Sequence, residues 1–271
     1  MPRSSKLSAD RSGGIAYTRA GEGPPLVLIH GLGGAHAIWE PQIDALAAER
    51  DVIALDMPGF GASPVLEEIS PSPAALAARI LEFLAELGVE RPHLAGNSLG
   101  GWVALEMALQ AEIASLCLIS PAGLWRRALG PRSFDTRQAA RLMRPLILAA
   151  LRLPGPRARM LRSTVGHPEK ISARIAAILI KGWIDAPGYA AASAEMRSGR
   201  FEHPEKIDVP TTIIWGELDR LVGPPKPERR PPNTRFLCIP DIGHTPNWDD
   251  PELLAELLLE ASSGTRVGIS V

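Results

Sequence analysis

Six short apolar runs, at residues 26–30, 52–55, 93–97, 116–120, 211–215 and 236–239, are each bounded by Gly, Pro or Asp. Runs of this length without polar alternation read as strands buried on both faces. Helical patterns lie between them. Residues 73–87 carry Leu76, Ile80, Phe83, Leu84 and Leu87 at helical spacing, with Gly88 as the stop. Residues 102–109 and 251–259 read as further helices. Strand–helix alternation implies an α/β fold with a mostly parallel sheet covered by helices on both sides. The 271 residues suit one such domain with an insertion.

The alternation fails between Gly123 and Asp208. That stretch is helix-like and interrupted by Pro131, Pro145, Pro154, Pro156, Pro168 and Pro187. It lies between two strands, so it is expected to fold as a helical cap on top of the sheet. The expected division is a core of residues 1–122 and 207–271 with a cap of residues 123–206. Residues 121–206 hold 16 Lys+Arg and 6 Asp+Glu, a local charge of +10 against −11 for the remainder. Arg137, Arg141, Arg144, Arg152, Arg157, Arg159 and Arg162 follow one another with no acidic residue between them, interleaved with leucines. Pro145 at a helix start splits this run into two short helices. Two readings follow. In the simpler one the leucines pack onto the sheet and the arginines are solvated or pair with the acidic core. In the other the basic, apolar helices face an anionic membrane surface or a lipophilic, acidic substrate.

Other classes are excluded or disfavoured. A net charge of −1 gives no global field to recruit nucleic acid. The polar N-terminus, residues 1–14, shows no secretory h-region, and no apolar run reaches the ~18 residues of a membrane span. A soluble protein of the cytoplasm is expected, with an oligomeric state that the sequence leaves open. Cys117 and Cys238 sit in apolar runs and read as buried free thiols. Neither a complete nucleotide-binding glycine motif nor zinc-ligand spacing is present, so no cofactor or metal is expected.

The segment Gly96-Asn97-Ser98-Leu99-Gly100 follows a strand and precedes a helix. This is the context a G-x-S-x-G nucleophile elbow requires. A sharp strand-to-helix turn strains the serine backbone and lifts its hydroxyl above the sheet at a helix N-terminus. There the Leu99 N–H can face a developing oxyanion. Three further landmarks occur in order around the elbow. They are His30-Gly31-Leu32-Gly33, Asp56-Met57-Pro58-Gly59-Phe60-Gly61-Ala62-Ser63 and Gly243-His244. With these the chain resembles the α/β-hydrolase fold family from about Gly13 to Ser262. The resemblance implies an eight-stranded sheet with the landmarks after strands three, four, five and eight, and the cap inserted after strand six.

Of the six histidines, at 30, 36, 93, 167, 203 and 244, the base for Ser98 must lie at the C-terminal edge of the sheet. His93 begins the elbow strand at the opposite edge. His167 and His203 lie in the insertion. The resemblance makes His30 a buried structural residue, and His244 matches the family order Ser…Asp…His. Gly216-Glu217-Leu218-Asp219 resembles the family's acid turn, with Asp219 at the acid position; Glu217 and Asp241 are the alternatives. The second oxyanion N–H is expected from Leu32, with Gly33 in reserve.

A serine nucleophile departs from the haloalkane dehalogenases and epoxide hydrolases of this fold, which use Asp. Three functions survive. The first is carboxylic ester hydrolysis through an acyl-enzyme. The second is C–C bond hydrolysis of a vinylogous diketone, since GNSLGG at 96–101 and Ser120-Pro121-Ala122-Gly123 look like the meta-cleavage-product hydrolases. Those enzymes typically carry Trp directly after the histidine, where this chain has Thr245. The third is a non-enzymatic ligand-binding protein of the same fold. Trp125, Asn97, Val222 and Thr245 are the candidate substrate-pocket residues. Trp39 and Trp102 read as core packing.

Overall fold

The computed structural model describes residues 10–130 and 136–263. The first nine residues of the polar N-terminus, Pro131 and the last eight residues of the expected core lie outside the described residues. In chain order the elements are β1 (Asp10–Ser12), β2 (Ile15–Ala20), β3 (Pro25–Ile29), α1 (Glu40–Ala47), β4 (Asp51–Leu55), α2 (Pro73–Glu86), β5 (His93–Asn97), α3 (Leu99–Gln110) and β6 (Ser115–Ile119). The insertion follows with α4 (Arg137–Leu142), α5 (Arg144–Ala150), α6 (Pro154–Leu161), α7 (Ala173–Asp185) and α8 (Tyr189–Ser198). The chain then returns through β7 (Thr211–Gly216), β8 (Thr234–Ile239) and α9 (Pro251–Ala261).

All eight strands form one sheet in the order β1-β2-β4-β3-β5-β6-β7-β8. β1 and β2 pair antiparallel, as do β2 and β4; every other pairing is parallel. Successive side chains on a strand face opposite sides. Accordingly Val27, Ile29, Ile53, Leu55, Leu116, Leu118 and Ile213 pack with α2 and α3, including Phe83 and Val103. Leu26, Leu28, Val52, Ala54, Cys117, Ile119 and Ile214 pack with α1 and α9, including Trp39 and Leu258. Helix starts are set locally. Ser72 caps α2 by accepting from the Ala75 N–H at 3.3 Å, and Asp250 caps α9 from the Leu253 N–H at 3.0 Å; each precedes a Pro at the first turn.

Two expectations are corrected. Cys117 is buried, and burial pushes its thiol pKa up to about 12. Cys238 is exposed. It lies on β8, the last strand of the sheet, so its apolar run is not covered on both faces as an interior strand would be. The two cysteines are separated by β7. Cys117 is level with Thr212, and Cys238 with Trp215, three residues further along.

The second correction concerns the insertion. Pro145 does divide the helices, as α4 and α5. The apolar side chains, however, do not all pack down: Leu142, Met143, Leu146 and Leu153 are exposed. Nor do the arginines simply face water or the core acids. Arg137 donates to the carbonyls of Trp183, Ile184 and Ala186, and Arg141 to that of Ile184. These are the last carbonyls of α7 and that of its C-cap residue Ala186, which have no partner within the helix, so a cation there satisfies both their hydrogen bonding and the negative end of the helix dipole. No helix among the described residues is long and apolar enough to cross a membrane.

Candidate active site

Loops after β3, β5, β7 and β8 converge at the C-terminal edge of the sheet. Ser98 occupies the turn from β5 into α3 with φ 54° and ψ −115°, a left-handed backbone costing about 1–3 kcal/mol for a non-glycine residue. The surroundings hold it there. The Ser98 N–H donates to the Ile119 carbonyl at 2.9 Å, and its own carbonyl accepts from Gly101 at 3.0 Å and Ala122 at 2.9 Å. The flanking glycines are required by close approach. A Cβ on Gly96 would strike the Gly100 carbonyl, and one on Gly100 would strike the Ile29 carbonyl at the end of β3.

The imidazole of His244 lies against Asp219, Nδ1 to Oδ2 at 2.7 Å, with the two side chains 6% and 0% exposed. The other carboxylate oxygen accepts the N–H groups of Leu221 at 2.8 Å and Val222 at 3.1 Å. Burial works to raise the Asp219 pKa. The His244 hydrogen bond and charge, together with the two amides, outweigh it and hold the carboxyl below its ordinary value. The alternatives Glu217 and Asp241 are both exposed, and the carboxylate on the ring is that of Asp219. Because Nδ1 is committed to Asp219, Nε2 is the nitrogen left for a substrate or for Ser98. Ser98 and His244 line the same cavity without a direct hydrogen bond between them.

That cavity has a volume of ≈ 620 Å³ and lies between the sheet edge and the insertion. The β3 loop forms one wall through Leu32 and Gly33, and a side chain at Gly31 would come within 3.2 Å of the Ser98 Cβ. Among the described residues the N–H groups of Leu32 and Leu99 have no protein acceptor. All four expected pocket residues, Trp125, Asn97, Val222 and Thr245, line the cavity. Asn97 also braces His244, because its side-chain amide donates to the His244 carbonyl at 2.9 Å and the Ile119 carbonyl at 3.2 Å. Trp125 packs edge-on against Trp102 and donates to the Gly199 carbonyl, so its lining and packing roles coexist. Trp39 and Trp102 are buried in the core.

His30 is fully buried, accepting from the Met57 N–H through Nε2 at 3.0 Å with Nδ1 on the Gly31 carbonyl at 2.7 Å. Burial lowers its pKa, so it sits there as a neutral strut. His93 stays at the opposite end of β5 on Ser115, and His167 and His203 pair with Glu169 and Glu205.

A family model described as the alpha/beta hydrolase family matches residues 26–257. The chain belongs to the alpha/beta hydrolase family. Within that family it is 28% identical over 267 residues to a pimeloyl-[acyl-carrier protein] methyl ester esterase of Aeromonas hydrophila, covering 90% of this chain and 97% of that one. It is 30% identical over 247 residues to the dihydrolipoyllysine-residue acetyltransferase component of an acetoin cleaving system of Pseudomonas putida, covering 88% of this chain. It spans only 63% of that relative's own length. Among solved structures, a membrane phospholipase A matches with a TM-score of 0.75 and 28% identity over 97% of this chain and 87% of that one.

The alpha/beta hydrolase core is legible from motifs, but two features of the site are not. One is the wall that the insertion supplies, including Met160, Trp183 and Tyr189, where no periodicity or motif marks a lining residue. The other is Asp249. Its carboxylate accepts the N–H groups of Gly243 at 2.8 Å, Gly166 at 2.8 Å and His167 at 3.1 Å. The Thr245 N–H donates to the Thr164 carbonyl at 2.9 Å. The residues on either side of His244 are thus tied to the insertion loop 164–167. The available signal is an acid five residues after the histidine, which sequence alone does not distinguish from a helix cap such as Asp250.

Among the described residues no group of three or more His, Cys, Asp or Glu side chains is placed to hold a metal ion.

Proposed function

We propose that this alpha/beta hydrolase is a serine hydrolase that cleaves a carboxylic ester through an acyl-enzyme. The observation that carries the reading is the pairing of His244 Nδ1 with the buried Asp219 at 2.7 Å, while His244 and the strained Ser98 open on one cavity. In this reading Ser98 Oγ attacks the ester carbonyl carbon and its proton passes to His244 Nε2. The oxyanion is met by the N–H groups of Leu99 and Leu32, with Gly33 in reserve, at the positive end of α3. Collapse of the tetrahedral intermediate breaks the C–O bond, and the imidazolium returns its proton to the departing alcohol. Water, deprotonated by the same histidine, then attacks the acyl-enzyme, releasing the acid and restoring Ser98. Asp219 fixes the tautomer and stabilises the imidazolium.

The cavity favours an apolar acyl or alcohol group. Its walls are mainly apolar, and the guanidinium of Arg197 is turned to the Gly130 carbonyl at 2.8 Å. A volume of ≈ 620 Å³ is in the range of small-molecule sites. Helices α4–α8 act as the cap that completes it.

The test is a panel of p-nitrophenyl esters of increasing acyl length beside a ring-cleavage dienoate, together with a fluorophosphonate probe, on the native chain and Ser98→Ala. Ester turnover and probe labelling, both lost in Ser98→Ala, are expected. Turnover of the dienoate alone would replace the ester reading with C–C hydrolysis. Absence of labelling would remove the serine mechanism.

A further inference from the structure

Helix α5 reads RPLILAA, and not one of its residues is buried. Leu146 on it is 66% exposed, and around it Leu142 is 86%, Met143 52% and Leu153 59% exposed. Folding gains from removing such side chains from water, so four of them exposed between residues 142 and 153 mark a face that meets an apolar phase. The face is basic as well. Arg141, Arg144, Arg152, Arg159 and Arg162 are all exposed, and no Asp or Glu occurs from Arg137 to Arg162. It also reaches the site. Leu129, Met160 and Leu221 are exposed and line the cavity, as does Ile147, the neighbour of Leu146.

We infer that the α4–α6 face docks on an anionic membrane surface, with its leucines at the boundary of headgroups and acyl chains and its arginines on lipid phosphates. Apolar side chains beside arginines are what such a surface accepts. A second copy of the chain is the poorer occupant, because a two-fold interface would set this arginine-rich cluster against itself. A further consequence rests on the ester-hydrolase reading: a lipophilic substrate would pass from the leaflet along Leu129, Met160 and Leu221 to Ser98.

The test is vesicle flotation with phosphatidylcholine alone and with added phosphatidylglycerol, at low and high salt. The proteins are the native chain, Leu142→Ser/Leu146→Ser and Arg152→Glu/Arg159→Glu. None of these four residues lines the cavity, so a thermal melt and turnover of a soluble ester check that the variants are folded. Binding to the anionic vesicles is expected, lowered at least about tenfold by either double substitution and by salt. No binding to either vesicle overturns the inference, as does binding that neither variant weakens. A native dimer that Leu142→Ser/Leu146→Ser converts to monomer gives the face to a second copy. Flotation does not depend on turnover, so Ser98→Ala should bind as the native chain does. Failure here leaves the ester-hydrolase reading untouched, and failure of that reading leaves the docking result standing.

Discussion

Replacing Asp219 by Asn tests the tautomer argument, because the structure fixes which way the new amide must turn. One carboxylate oxygen already accepts two N–H groups, from Leu221 at 2.8 Å and Val222 at 3.1 Å. An NH2 placed there would set donors against donors. The Asn oxygen therefore takes that side, and the NH2 takes the side now 2.7 Å from His244 Nδ1. It then donates to Nδ1, which must be the unprotonated nitrogen. The proton moves to Nε2, and the histidine can no longer accept the Ser98 proton. Wrong-tautomer substitutions in triads cost about 10³–10⁴-fold in kcat, or roughly 4–5.5 kcal/mol of barrier at 1.36 kcal/mol per decade. The assay is kcat on a p-nitrophenyl ester, with a melting curve to show that the variant is folded. Asp241→Asn is the control and should be nearly silent, since Asp241 is exposed and Nδ1 of the ring is held by Asp219. A folded Asp219→Asn variant within tenfold of native kcat would refute the reasoning, and loss in Asp241→Asn would move the acid's role there.

Ser98→Ala and His244→Ala should each lower kcat by on the order of 10⁴-fold or more without unfolding the chain, and no more in combination, because the residues act as a unit. In native protein DTNB should titrate Cys238 promptly and reach Cys117 only after denaturation without reductant; a single thiol after denaturation would show that one is blocked. Asp249→Asn weakens charge-assisted bonds from three amides and should cost about 1.5–3 kcal/mol in a urea melt, while an unchanged midpoint would mean that the amides find other acceptors. The Asp219 pKa is depressed in the fold, so this carboxylate contributes stability above its unfolded value of about 3.9 that is lost as pH falls through the lower folded value. The Tm gap between native protein and Asp219→Asn should therefore shrink at the acid end of a titration from pH ~7 to ~3; a gap that widened would contradict the sign.

What the sequence discloses follows from how each element achieves its burial. β3 to β7 are covered on both faces, so Leu26, Ile53, Leu94, Leu116 and Ile213 stand in uninterrupted apolar runs that one pass along the chain finds. β1 and β2 pair antiparallel at the edge, and sequences such as DRS carry no such run; only the family resemblance implies them. β8 is the other edge, and there the same pattern misleads, reading Cys238 as buried. Of helix α1, eight residues long, only the start is marked, at Trp39. Ser98, Asp219 and His244 are legible because each sits just past a strand end, where glycines permit tight turns and the sheet brings distant segments together. Asp219 and His244 are 25 residues apart and meet only because β7 and β8 are parallel neighbours.

The insertion is legible in charge and in its proline breaks but not in packing, and the reason is physical. A leucine at helical spacing announces an apolar face without saying what covers it, and an arginine announces charge without saying whether a carboxylate or a helix end will answer it. In α4, Arg137 and Arg141 answer the open carbonyls at the end of α7. Leu151 and Leu161 turn inward to the small core that the insertion builds with Val165 and Ala176, while Leu142 and Leu146 turn out. Both sets occupy the same arginine–leucine run, so the choice between them is made by tertiary contacts with segments outside it. Of the internal charge pairing that +10 against −11 suggests, the described residues show Arg144 of this run with Asp185, and both partners are 44% exposed. Exposed pairs of that kind contribute little. Arginines of the insertion thus help to close its own helices as well as carrying its charge.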